Sequence, residues 1–157
     1  MIEPGRPGAV GPDAFLEALR ASYVRWTGRT LLPRAIGPDA ARVALFEAPF
    51  ALLAHDAQPD PLFCYGNRQA LALFETTFEA FTALPSRLSA EPARQEERAA
   101  LLDRVTRHGF VDDYRGIRIT RTGRRFLISD ATIWNIVEAQ GRYCGQAALI
   151  RKWQALD

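Results

Sequence analysis

The chain has 157 residues with 20 basic and 18 acidic side chains, a formal charge of +2, and 48% hydrophobic residues. That is the length of one ordinary domain with a real core, so disorder of the whole chain is not expected, and a charge this weak neither requires nor excludes an anionic partner. No run approaches the ~20 apolar residues of a membrane helix, and the N-terminus lacks the apolar segment of a secretion signal, so a cytoplasmic protein is expected.

Residues 1–11 are rich in Gly and Pro and are expected to form a flexible tail. Residues 12–48 then read as an N-terminal helical segment. Pro12 and Asp13 open a helix in which Phe15, Leu16, Leu19, Tyr23 and Trp26 recur at spacings of three and four, forming one apolar stripe, and Gly28 stops it. Such a stripe must be covered, either by a sheet of the same chain or by a second copy. Leu16, Leu19, Tyr23 and Trp26 are therefore candidate dimer-interface residues as well as candidate core, and both readings stand. A connector broken by Pro33 leads to a second helix from Pro38 through Glu47, with Val43 and Phe46 expected inward.

Residues 49–157 carry the main domain. Phe50–His55 and Leu62–Tyr65 read as two short strands joined by a polar, Pro-containing turn. Asn67 is placed to cap a helix over Arg68–Glu75 with Leu71 and Phe74 inward, and Phe78 and Phe81 belong to another helical turn. After the loop Pro85–Ser89, Ser89 is the expected cap of a longer helix ending at His108–Gly109. Its inward residues are Leu101, Leu102 and Val105, and its outer face includes Glu97, Arg98 and Asp103.

Phe110 to Trp153 then predicts three consecutive antiparallel strands, with Gly123 and Gly141 at the two hairpin turns. On the first, Tyr114 and Arg118 share a face opposite Ile117 and Ile119. On the second, Phe126, Ile128, Trp134 and Ile136 alternate with Leu127, Ala131, Ile133 and Val137, so both faces are apolar and the strand is expected to be central and covered on both sides.

This order, with Pro61-Leu-Phe-Cys-Tyr-Gly-Asn-Arg68 leading into a capped helix and closing hairpins around Gly123-Arg-Arg-Phe126 and Gly141-Arg-Tyr-Cys144, resembles a PAS domain. With Leu84-Pro-Ser-Arg-Leu-Ser-Ala-Glu-Pro92, Arg98, Gly116-Ile-Arg-Ile119, Ile133-Trp-Asn-Ile136 and Gly145-Gln-Ala-Ala148, the chain more specifically resembles the bacterial members of the MEKHLA family, a PAS-like group. The resemblance implies an α+β fold: a five-stranded antiparallel sheet with helices on one face and an N-terminal helical arm on the other. It also implies a sensory or regulatory module, expected to stand alone and to form a homodimer, that binds a small ligand or a protein partner. The plant relatives' homeodomain and zipper heptads have no counterpart in this sequence.

A PAS-like pocket would draw its wall from Tyr65, Phe74, Ile119, Trp134 and Gln146, with Ser86 and Arg87 offered by the polar loop and Arg118 by the sheet. A charge at Arg118 on a covered face needs a partner: a ligand, or an ion pair with Asp112 or Asp130. The alternative to a binding module is a small enzyme using Arg118 and Tyr65, although no catalytic constellation stands out. His55 and His108 have no metal-ligand spacing with other residues, so no metal is expected. Cys64 and Cys144 read as reduced core thiols. Haem and flavin stay open as cofactors, though the Asn-Cys-Arg block of flavin-adduct light sensors is absent. The arginines at 115, 121, 124 and 125 read as charge protecting a sheet edge, and nucleic acid is not expected as a partner.

Overall fold

The computed structural model describes residues 12–33 and 36–156, and the expected tail at 1–11 lies outside the described residues. Helix α1 (Pro12–Thr27) and helix α2 (Pro38–Phe46) precede strands β1 (Ala51–His55) and β2 (Phe63–Gly66). Short helices α3 (Arg68–Leu73) and α4 (Phe78–Phe81) follow, then 3-10 turns at Ser86–Ser89 and Pro92–Arg94, and helix α5 (Gln95–His108). Strands β3 (Phe110–Ile119), β4 (Arg125–Val137) and β5 (Tyr143–Ala155) close the chain. All five strands form one antiparallel sheet in the order β2-β1-β5-β4-β3, so the two early strands complete the late meander through the β1–β5 pairing.

Each face of the sheet is covered by different helices, as the apolar pattern on both faces requires. Phe15, Leu16, Leu19 and Tyr23 of α1 and Leu45 of α2 pack with Leu52, Ala54, Trp134, Ile136 and Leu149 on one face. Ala70, Phe74, Phe81, Leu101 and Val105 from α3, α4 and α5 pack with Leu53, Phe63, Phe126, Ile128 and Ile133 on the other. The α1 stripe is therefore occupied by its own sheet. Leu16, Leu19 and Tyr23 are buried there, and Trp26 is half-buried with its indole N–H donating to the Asn135 carbonyl at 3.0 Å. Trp134 reaches back to donate to the Leu19 carbonyl at 3.1 Å, and the Ser22 hydroxyl exchanges hydrogen bonds with the Val137 backbone. Leu16, Leu19 and Tyr23 are thus not a free surface for a second copy, while Trp26 stays partly exposed.

Asn67 caps α3 as expected, but it does more. Fully buried, its side chain accepts from the Ala70 and Leu52 amides at 3.0 and 2.9 Å and donates to the Leu45 and Phe50 carbonyls at 3.0 and 2.8 Å. One amide thereby joins α2, β1 and α3.

Three local expectations are corrected. Val43 is 60% exposed, and Ala41 and Leu45 are the buried residues of α2. Ser89 does not cap α5. It lies in the first 3-10 turn with its hydroxyl donating to the Ser86 carbonyl at 2.7 Å, and α5 begins only at Gln95. Trp134 does not share a face with Phe126 and Ile128, despite equal parity. Asp130 in β4 and Asp113 in β3 have φ of 49° and 52°, and the β3–β4 register shifts on both sides of Tyr114. Such bulges re-aim every side chain beyond them.

Candidate functional site

On β1, side chains alternate, so Leu53 and His55 point with Ala51 to the α5 face. Gln146 of β5 stands directly opposite His55 in the ladder. Arg98 precedes Leu101 and Val105 by three and seven positions on α5, which puts it on their inward stripe rather than outside. Tyr114 and Arg118 come from β3, and Ser86 and Ser89 from the first 3-10 turn. Together with apolar walls such as Phe74, Ile128 and Ala148, these groups line a cavity of about 70 Å³ between the sheet and α5.

The polar side of this cavity holds three separate hydrogen-bonded groups. The Arg98 guanidinium donates to the Ser86 hydroxyl at 2.7 Å. Arg118, 8% exposed, donates to the Ile117 carbonyl at 2.8 Å and to the Tyr114 hydroxyl at 3.2 Å, and Tyr114 in turn donates to the Glu97 carboxylate at 2.9 Å. Among the described residues, neither Arg98 nor Arg118 has a carboxylate within ion-pair distance. Asp112 is taken by Arg29 and Asp130 by Arg151, so the ion pair expected for Arg118 does not form. Burial and the neighbouring Arg118 charge pull the Arg98 ionisation down to about 10.

His55 is the titratable member of the third group. Both its ring nitrogens face acceptors: Nδ1 lies 2.9 Å from the Asp56 carbonyl and Nε2 3.1 Å from Gln146 Oε1, so the neutral ring donates to one of them and only the imidazolium donates to both. The Gln146 amide donates to Asn135 Oδ1 at 3.1 Å, and Asn135 donates to the Val105 carbonyl of α5 at 3.0 Å. Burial, helped by the Arg98 charge, lowers the His55 ionisation below the ordinary imidazole value, against the pull of the Asp56 carbonyl and Gln146. The unfolded chain, with an imidazole near ~6.5, therefore takes up its proton first as pH falls. Stability contributed by neutral His55 is present above that pH and is lost below it, at a limit of about 1.4 kcal/mol per pH unit. Urea unfolding between pH 7.5 and 5.5 is expected to show a steeper loss in the native chain than in His55→Gln; parallel curves would remove His55 as the source.

Of the residues singled out from sequence, Phe74, Ser86, Arg118 and Gln146 converge on the cavity. Tyr65 and Trp134 lie on the α1 face, where Tyr65 Oη is buried with no hydrogen-bond partner among the described residues. Ile119 lies at a shallow depression beside the 3-10 turns. Arg87 is exposed and paired with Asp60 at 3.2 Å. Arg118 and Tyr65, the pair offered for an enzyme, are thus separated by the sheet. Arg124 and Arg125 pair with Glu75 and Glu91. His55 and Arg98 are the site residues not anticipated, although strand alternation and the Leu101–Val105 stripe both pointed to them.

The MEKHLA domain matches residues 13–155, nearly the whole chain. The chain belongs to the MEKHLA domain family. No curated protein matches it. Among solved structures, this MEKHLA domain is similar to the PAS domain of a protein from Colwellia psychrerythraea, with a TM-score of 0.63 at 15% identity over 73% of this chain and 94% of that one. It is similar to a light-oxygen-voltage domain studied with a flavin analogue, with a TM-score of 0.57 at 14% identity over 73% and 83% of the two chains. A third likeness is to an RNA-binding light-oxygen-voltage receptor, with a TM-score of 0.62 at 18% identity over 78% of this chain and 34% of the receptor. These likenesses establish the PAS fold. No helix among the described residues is long and apolar enough to cross a membrane, and no three potential metal ligands cluster among them.

The light-oxygen-voltage relatives raise the question of a flavin, and the residues do not fit one. The MEKHLA cavity is about 70 Å³, whereas sites for organic cofactors occupy roughly 300–1,000 Å³. No cysteine lines it: Cys64 and Cys144 pack on the α1 face. Haem meets the same limit of size.

Proposed function

We propose that this chain is a sensory PAS-like module whose cavity between β1, β3, β5 and α5 binds a small molecule, without catalysing a reaction on it. The observation that carries the reading is the cavity itself. Buried His55, Ser86, Arg118 and Gln146 project polar groups into an otherwise apolar space at the centre of the fold, the usual composition of a small-molecule site. A route for output accompanies it. Gln146 at the cavity wall bonds Asn135, whose backbone carbonyl receives the Trp26 indole of α1. Occupancy of the cavity can thereby alter the seating of α1, the helix covering the opposite face, where a protein partner would read the change. A cytoplasmic location fits this reading.

Amide NMR of the full chain against mixtures of small metabolites tests it. Ligands are expected to shift the Leu53, His55, Leu102 and Gln146 resonances together, and Ala148→Val, which adds two methyl groups to the cavity wall, is expected to abolish the response. Shifts confined to the surface, or an undiminished response in Ala148→Val, would remove the small-ligand reading.

A further inference from the structure

We infer that the ligand of this cavity is a short-chain carboxylate whose head compensates the charges of Arg98 and Arg118. This rests on the small-ligand reading above and narrows it to a chemical class.

Two guanidinium groups face one cavity, and neither has a carboxylate at ion-pair distance among the described residues. The nearest acids do not serve. Glu97 reaches Arg118 only through the Tyr114 hydroxyl, and Asp60 is held by Arg87. Arg118 is buried and Arg98 half-buried, and charge withdrawn from water is normally paired. The mutual repulsion is visible in Arg98, whose ionisation is depressed by burial and by Arg118. An anion in the cavity would relieve both arginines, and a planar carboxylate matches the guanidinium fork.

Size and lining narrow the class. An apolar cavity of about 150 Å³ accepts the six carbons of benzene. On that scale, the 70 Å³ here admits about three heavy atoms, the size of formate, with acetate one atom larger. Leu53, Phe63, Phe74, Leu101, Ile128 and Ile150 make much of the wall apolar. An inorganic oxyanion would turn some of its oxygens toward that wall unsatisfied, whereas an alkyl end would pack against it.

Titration of the full chain, followed by amide NMR at constant ionic strength, should use formate and acetate, with formamide, acetamide, nitrate and chloride alongside. Saturable shifts at Ser86, Arg98, Arg118 and Gln146 are expected with the carboxylates, and at least tenfold weaker binding with the amides and inorganic anions. Arg98→Met and Arg118→Met are each expected to weaken acetate binding at least tenfold while leaving urea stability equal or higher, since each removes a charge, half-buried at Arg98 and buried at Arg118, that no carboxylate compensates. Arg98→Lys, which keeps charge without the fork, should bind acetate with intermediate affinity. Amides binding as tightly as carboxylates would overturn the anionic head but leave the small-ligand reading intact. Nitrate or chloride binding as tightly as acetate would overturn the carboxylate assignment. No response to any of these probes would overturn it too, with the metabolite screen deciding the broader reading separately. If either Met variant fails to fold, the arginine is a structural partner and the inference falls with it.

Discussion

Asn67→Ala is expected to cost about 3–5 kcal/mol of unfolding free energy, a large part of the 5–15 kcal/mol typical of a domain. The native side chain makes four hydrogen bonds to backbone groups at 2.8–3.0 Å while fully buried. Alanine leaves two amides and two carbonyls without it. A buried polar group left unpaired costs about 1–3 kcal/mol, so even partial rescue by water leaves a large net loss. For a chain of this size, each kcal/mol lowers the melting temperature by roughly 2–4 °C, so a fall on the order of 10 °C is expected. Asn67→Asp separates this clamp from ordinary helix capping. Aspartate caps as well as asparagine on an exposed helix, but here it would set a carboxylate against the Leu45 and Phe50 carbonyls. Urea unfolding should therefore find Asn67→Asp nearly as damaging as Asn67→Ala; an aspartate variant close to native stability would reduce Asn67 to a cap.

That example shows what was legible in the sequence and what was not. The cap was readable because Asn before a helix has a local meaning. The contacts to Leu45, Leu52 and Phe50 depend on how segments 15–22 residues apart come together, and no local pattern encodes them. The sheet followed from the same kind of local signal. Gly123 and Gly141 sit at the hairpins with φ of 91° and 88°, and the two apolar faces of β4 called for cover on both sides. Its faces were not fully readable, since period-two alternation assumes an unbroken ladder. Asp113 and Asp130 break it, and Trp134 therefore points to α1 instead of the cavity. Arg98 was missed for a different reason. A charged residue on an amphipathic helix is assigned outward by default, although its spacing to Leu101 and Val105 placed it inside. At the cavity, chemistry outweighed hydropathy, and hydropathy was the signal being followed.

Gly145→Ala is the second change with a large expected effect, and it connects the fold to the site. Gly145 has φ of 139°, which L side chains rarely adopt, and a Cβ there would overlap the His55 carbonyl oxygen and come within 3.1 Å of Asp56 Cα. Both neighbours are backbone, so neither can rotate away. Strain in the glycine-only region costs roughly 1–2 kcal/mol, and forced displacement of packed backbone adds about 1–3 kcal/mol. A total loss of about 2–5 kcal/mol is expected on the same two grounds. Gly123→Ala supplies the control: its φ is also positive, at 91°, but a Cβ there meets nothing within 4 Å. It should show the conformational strain alone, and the difference between the two variants isolates the overlap. The site should respond as well, because relief of that overlap must move the end of β1 away from β5, where His55 meets Gln146. The Gly145→Ala protein is thus expected to lose the extra pH dependence attributed to His55 and to bind cavity probes more weakly, while Gly123→Ala keeps both. Equal destabilisation by the two substitutions, with His55 titrating as before, would show that β1 and β5 have room at this point and that the cavity does not depend on their close approach.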